Sequence, residues 1–157
     1  MNKPSRPTPP FSPASPPYEV DAYGWAYAQA QLLRERRFDL LDIENIAEEI
    51  ESVAKSEKSS AESALRVLMM HILKWQHQPE RRSRSWAVSI AGQRLEYERV
   101  IAENPSLKPK LDEMRDHSYR RARLEAVKET DLPLKTFPLE PIDWQTVLHE
   151  PFEFDQD

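Results

Sequence analysis

Apolar residues at helical spacing dominate the middle of the chain. Ile43, Ile46, Ile50, Val53, Ala61, Ala64, Leu68, Ile72 and Trp75 recur at steps of three, four and, once, eight residues, which places them on one broad face of a 3.6-residue helix. A strand would send several of them to opposite faces. The pattern predicts a long second helix from about Ile43 to Trp75 or Gln76. Inside it, Lys55-Ser56-Glu57-Lys58-Ser59-Ser60 dilutes the apolar face, so a bend or break near Ser59 stands as the alternative to one continuous helix.

The flanking segments read in the same way. Asp21 can cap a first helix reaching about Arg36, because its carboxylate accepts from an otherwise unpaired N-terminal N–H. Trp25, Ala28, Ala30, Leu32 and Leu33 supply an irregular apolar stripe. Phe38 to Asp42 then forms a tight connection. A third helix starts at Ser83 or Ser85 and carries Trp86, Ile90, Tyr97 and Ile101 to about Asn104, where Pro105 restricts the preceding backbone. Ser106 is placed to cap a fourth helix that carries Leu107, Leu111, Met114, Ala122, Leu124 and Val127 towards Thr130.

Beyond Thr130 the prolines Pro133, Pro138, Pro141 and Pro151 prevent another long helix. Asp143 can cap a short one containing Trp144, Val147 and Leu148, so that Phe137, Trp144 and Leu148 lie across the bundle. Phe152 and Phe154 can extend that contact. With no internal repeat, no Rossmann or Walker glycine pattern and few alternating segments, the expected fold class is all-α. It is a compact antiparallel helical bundle with a long second helix and a C-terminal capping tail.

Composition sharpens the boundaries. The 157 residues suit a single domain. Only two glycines accompany fourteen prolines, and seven of those prolines precede Tyr18. This predicts a Pro-rich disordered arm over 1–17, a helical domain over 18–148 and an acidic flexible tail over 149–157. The arm is either a solvated extension or a ligand for a proline-binding partner. It lacks the apolar run of a secretion signal, and no segment has the roughly 18 to 20 apolar residues of a membrane span. Cytoplasmic residence without membrane contact is therefore expected. The absence of cysteine excludes disulfides, thiolate ligands and cysteine nucleophiles.

Candidate chemistry gathers between His71 and Trp86. Lys74, Arg81, Arg82 and Arg84 form a cationic turn able to engage a phosphate or the carboxylates of an acidic protein partner, arginine being suited to forked hydrogen bonds. Salt bridges to the chain's own acids are the competing reading. The net charge of -5 gives nucleic acid no general support. His71 and His77 are the candidates for proton transfer; six residues apart, they sit about 120° apart around a helix, off one close face. No Glu-x-x-His pair is present, so neither a metal nor another cofactor is expected. The acids from Asp39 to Glu51 favour the positive end of the second helix, and Trp75 and Trp86 read as core residues.

Three stretches taken together resemble a bacterial family known as domain of unknown function twenty-nine. They are Asp21-Ala22-Tyr23-Gly24-Trp25, Ile46-Ala47-Glu48-Glu49-Ile50-Glu51, and Leu73-Lys74-Trp75 followed by Pro79-Glu80-Arg81-Arg82-Ser83-Arg84-Ser85-Trp86. The likeness continues through Leu132 to Pro138 and covers about Tyr18 to Leu148. It departs from the usual pattern over Pro138 to Asp143 and excludes the Pro-rich arm. What the resemblance implies is a compact all-helical fold with no assigned biochemical role and no catalytic residue set to carry over.

Two classes of function are compatible with these residues. One is a non-enzymatic helical interaction or structural module that uses the basic turn, with a homo-dimer as one form it can take. The other is a hydrolase or anion-processing enzyme, in which the arginines bind a phosphate-like group and His71 or His77 acts as general acid or base.

Overall fold

A computed structural model describes residues 15–154. Most of the Pro-rich arm and the last three residues of the acidic tail lie outside the described residues. Helices and short 3-10 turns account for the regular structure, and no strand occurs among the described residues. The described residues divide into two compact units, 15–53 and 54–154.

The first unit holds α1 (Ala22–Arg34) and the start of α2 (Ile43–His77). Asp21 caps α1 as expected, accepting from the Gly24 N–H at 2.8 Å. A side chain at position 24 would collide with that carboxylate, because an added Cβ would lie 2.4 Å from Asp21 Oδ2. The helix stops two residues earlier than expected. Arg36 turns left-handed at φ 57°, and the Arg36 and Arg37 N–H groups return to the Leu33 and Leu32 carbonyls. This is a Schellman closure made without the usual glycine.

Asp42 joins the two helices of this unit. It accepts from Trp25 Nε1 at 3.0 Å and from Asn45 Nδ2 at 2.7 Å, while its own N–H donates to Gln29 Oε1 at 2.9 Å. Tyr18 donates to Glu49 and stands edge-on to Trp25. Pairing Tyr18 with Glu49 and Trp25 with Asp42 makes α1 antiparallel to the start of α2. These contacts use the Asp42–Asn45–Glu49 face of α2. Consequently Ile43, Ile50 and Val53, which periodicity assigns to the core, are exposed.

The second unit is a bundle built by the rest of α2, α3 (Arg84–Glu103) and α4 (Leu111–Thr130), with the short α5 (Trp144–Leu148) in the tail. α2 passes Ser59 without a break. Asn104 Nδ2 donates to Glu57 Oε2 at one end of the bundle, and Lys74 stands over Trp86 at the other, so α2 and α3 are antiparallel. Lys58 with Glu113, Glu62 with His117 and Lys74 with Glu129 each span 55 residues. That constant offset makes α4 parallel to α2, completing an up-down-up arrangement.

The core between these helices contains Leu65, Leu68, Met69 and Ile72 from α2, Ile90, Tyr97 and Val100 from α3, and Met114, Tyr119 and Ala122 from α4. α3 starts after Ser83, whose hydroxyl accepts from the Trp86 N–H. α4 starts later than expected. Residues Pro105–Lys110 form a 3-10 stretch instead; Pro109, three residues after Ser106, has no N–H to donate to a Ser106 cap.

The tail is fastened by polar and aromatic contacts. Arg94 donates to the Val147 and Thr146 carbonyls, Arg123 to the Phe137 carbonyl, and Tyr119 to the Pro138 carbonyl. Trp144 Nε1 donates to Asp112 at 2.7 Å, and Phe152 and Phe154 stand edge-on to Trp75. Phe137 and Val147 enter the core, which gives the expected capping tail.

Truncating the centre of this core is costly. Leu68→Ala removes a fully buried side chain, and a loss of about 2–5 kcal/mol is expected in urea unfolding. Leu124→Ala, at a helical position that is 61% exposed, stays within about 0.5 kcal/mol of the parent.

Candidate functional site

The turn between α2 and α3 is braced from within. Gln78 returns its N–H to Lys74, Pro79–Arg81 form one 3-10 turn, and Ser83 opens α3. Arg82 Nε donates to the Trp75 carbonyl at 2.9 Å, and its guanidinium lies 5.2 Å from the Trp75 ring centroid. It thereby satisfies a carbonyl that the end of α2 leaves open. Lys74 is only 6% exposed. Its ammonium meets Glu129 at 3.2 Å and lies 4.6 Å from the Trp86 ring centroid.

The four candidate cations therefore do not act as one patch. Lys74 and Arg82 are turned inward to hold three helix ends. Arg81 and Arg84 are exposed, and neither side chain forms a hydrogen bond, ion pair or ring contact among the described residues. Spacing along the chain groups these four cations but cannot divide them between inward and outward positions. A signal was present in the unbroken apolar character around Lys74, from Ile72 and Leu73 to Trp75.

The two histidines occupy different surroundings. Burial lowers the pKa of His71, Lys74 lowers it further and Glu129 opposes the shift; its Nδ1 is buried without a hydrogen-bond partner. Burial alone lowers the pKa of His77, whose ring stands edge-on to Phe137 at 5.1 Å. Both are thus held neutral near pH 7. No described contact joins either imidazole to Arg81, Arg82 or Arg84.

A second polar feature escapes sequence inspection. A cleft of about 260 Å³ between α2 and α4 is lined by Ser59, Glu62, Ser63, Arg66, His117, Ser118, Arg121 and Glu125. His117 Nδ1 lies 3.3 Å from Glu62 Oε1, and Ser118 donates to the Glu62 backbone carbonyl. Arg66 pairs with Glu125 and donates to Ser63 at 3.2 Å. Neither Ser63 nor Ser118 donates to an imidazole, so these contacts do not prepare a serine nucleophile. Only the diluted apolar face at Lys55 to Ser60 hinted at this polar seam; the 55-residue pairing is a tertiary fact. Among the described residues, no cluster of three His, Asp or Glu side chains is placed to hold a metal ion.

The fold and surface define an all-helical protein whose prominent features are a braced basic turn and a polar interhelical cleft. The chain belongs to the family described as "Domain of unknown function DUF29", which matches residues 17–153. No curated protein and no solved structure matches it.

The division among the cations is measurable in stability. Arg82→Ala loses a charged hydrogen bond and a cation–π contact, and should cost about 1–3 kcal/mol in urea unfolding. Arg81→Ala should stay within about 0.5 kcal/mol.

The histidines predict a pH dependence. Their folded pKa values lie below the unfolded value, so below about pH 6.5 the unfolded chain takes up protons first and stability falls. Above that pH both states are neutral and the contribution vanishes. Thermal unfolding between about pH 7.5 and 5.5, above the carboxylate range, should show a falling Tm that His71→Gln with His77→Gln flattens. An unaltered slope in the double variant contradicts this assignment.

Proposed function

We propose that this chain is a non-enzymatic helical interaction module that presents Arg81 and Arg84 to the carboxylates of an acidic protein partner. The observation supporting this reading is the division of the basic turn into two structural and two outward-facing cations. Lys74 and Arg82 fix the backbone by contacts to Glu129, Trp86 and Trp75. Arg81 and Arg84 project from that fixed frame into solvent. A planar guanidinium can grip a carboxylate through two parallel hydrogen bonds, and a turn ordered beforehand loses less freedom on binding.

The test compares the parent with Arg81→Ala/Arg84→Ala as baits in native cell extract, followed by titration of the acidic protein recovered. The double variant should retain its helical circular dichroism and urea midpoint while its affinity falls at least tenfold. The parent's affinity should also weaken with added salt. Recovery and affinity unaffected by the double substitution would remove the basic turn from this function.

A further inference from the structure

Two apolar stripes face solvent on different helices. On the first turns of α2, Ile43, Ala47, Ile50 and Val53 are all exposed, Ile43 by 65% and Ile50 by 67%. On α3, Val88, Ala91, Gly92 and Leu95 do the same, Val88 by 64% and Leu95 by 69%. Each set repeats at helical spacing, as a partner-facing seam does. Contiguous apolar surface of this kind marks an interaction site.

The first stripe lies in acidic surroundings, whereas the second is basic at its head. No basic residue interrupts the sequence from Asp39 to Glu51, and residues 15–53 carry nine acidic side chains against three arginines. Arg81 and Arg84 stand at the head of the α3 stripe. The stripes also suit close approach, since Ala47 lies in one, and a Cβ added at Gly92 in the other would meet nothing within 4 Å. Small residues at a crossing allow helices to pack near the short end of the usual 8–10 Å separation.

We propose that the occupant of each stripe is a second copy of this chain. The Ile43–Val53 stripe of one copy docks on the Val88–Leu95 stripe of the other, and Arg81 and Arg84 face its acidic rim. Each copy carries both stripes, so two copies offer this contact twice. Docking the first stripe on itself would instead oppose two acidic surfaces, a repulsive arrangement. This proposal rests on the interaction-module reading and names its acidic partner.

Light scattering on the full chain during size-exclusion chromatography should give about twice the 18.4 kDa chain mass. Ile50→Glu and Leu95→Glu, both at exposed positions, should each give a folded species of single-chain mass. Mixing the two variants should restore a dimer, because one of its two contacts then joins unaltered stripes; it should dissociate at least tenfold more readily than the parent dimer. Glutamine at the same positions repeats the comparison if glutamate disturbs either helix. A single-chain parent, a dimer insensitive to both substitutions, or a mixture that stays at single-chain mass overturns the proposal. If the parent is a single chain but still binds another acidic protein through Arg81 and Arg84, only the second-copy assignment falls. If that binding ignores the arginines, the interaction reading falls as well.

Discussion

Burial of the Lys74 ammonium is the constraint around which the bundle end is organised. An amine in an apolar setting must be compensated, because loss of hydration costs several kcal/mol. Here compensation comes from two directions: Glu129 on α4 supplies the opposite charge, and Trp86 on α3 supplies a ring face. One side chain of α2 thereby fixes where the start of α3 and the end of α4 must lie. The neighbouring Gln78 Nε2 donates to the Thr130 carbonyl, adding a polar contact near the same end.

The register of the bundle follows from such polar contacts. Apolar packing between α2 and α4 brings the helices together, but leucine, methionine and alanine faces tolerate sliding better than paired charges do. Lys58 with Glu113 and Glu62 with His117 repeat the offset of Lys74 with Glu129. Exposed members of this series contribute little individually. Their value lies in favouring one alignment, and Lys74, being buried, penalises the others most.

Much of the fold was legible because its signals are local. Asp21, Ser83 and Asp143 cap helices where their side chains were expected to do so, and the apolar rhythm of α2 survives the polar interval around Ser59. Three features were hidden for separate reasons. Arg36 closes α1 in a conformation normally signalled by glycine. Pro109 diverts the start of α4 although Ser106 looks like a suitable cap. Lys74 and Arg82 look like surface cations until tertiary packing brings rings, carbonyls and Glu129 to them. The polar cleft was less legible still, since Glu62 and His117 meet across 55 residues.

The exposed isoleucines of the first unit have a physical cause in this competition between local and tertiary signals. A helix hairpin can turn only one face of each helix inward. Here the inward face is chosen by hydrogen bonds: Trp25 and Gln29 reach Asp42, and Tyr18 reaches Glu49. Those bonds give the hairpin direction and register, but they leave Trp25 and Gln29 as its fully enclosed side chains. Short helices draw most of their stability from tertiary burial of an apolar face. This hairpin turns its inner face to polar contacts and leaves Ile43 and Ile50 outward, so its own apolar burial contributes little to holding it together.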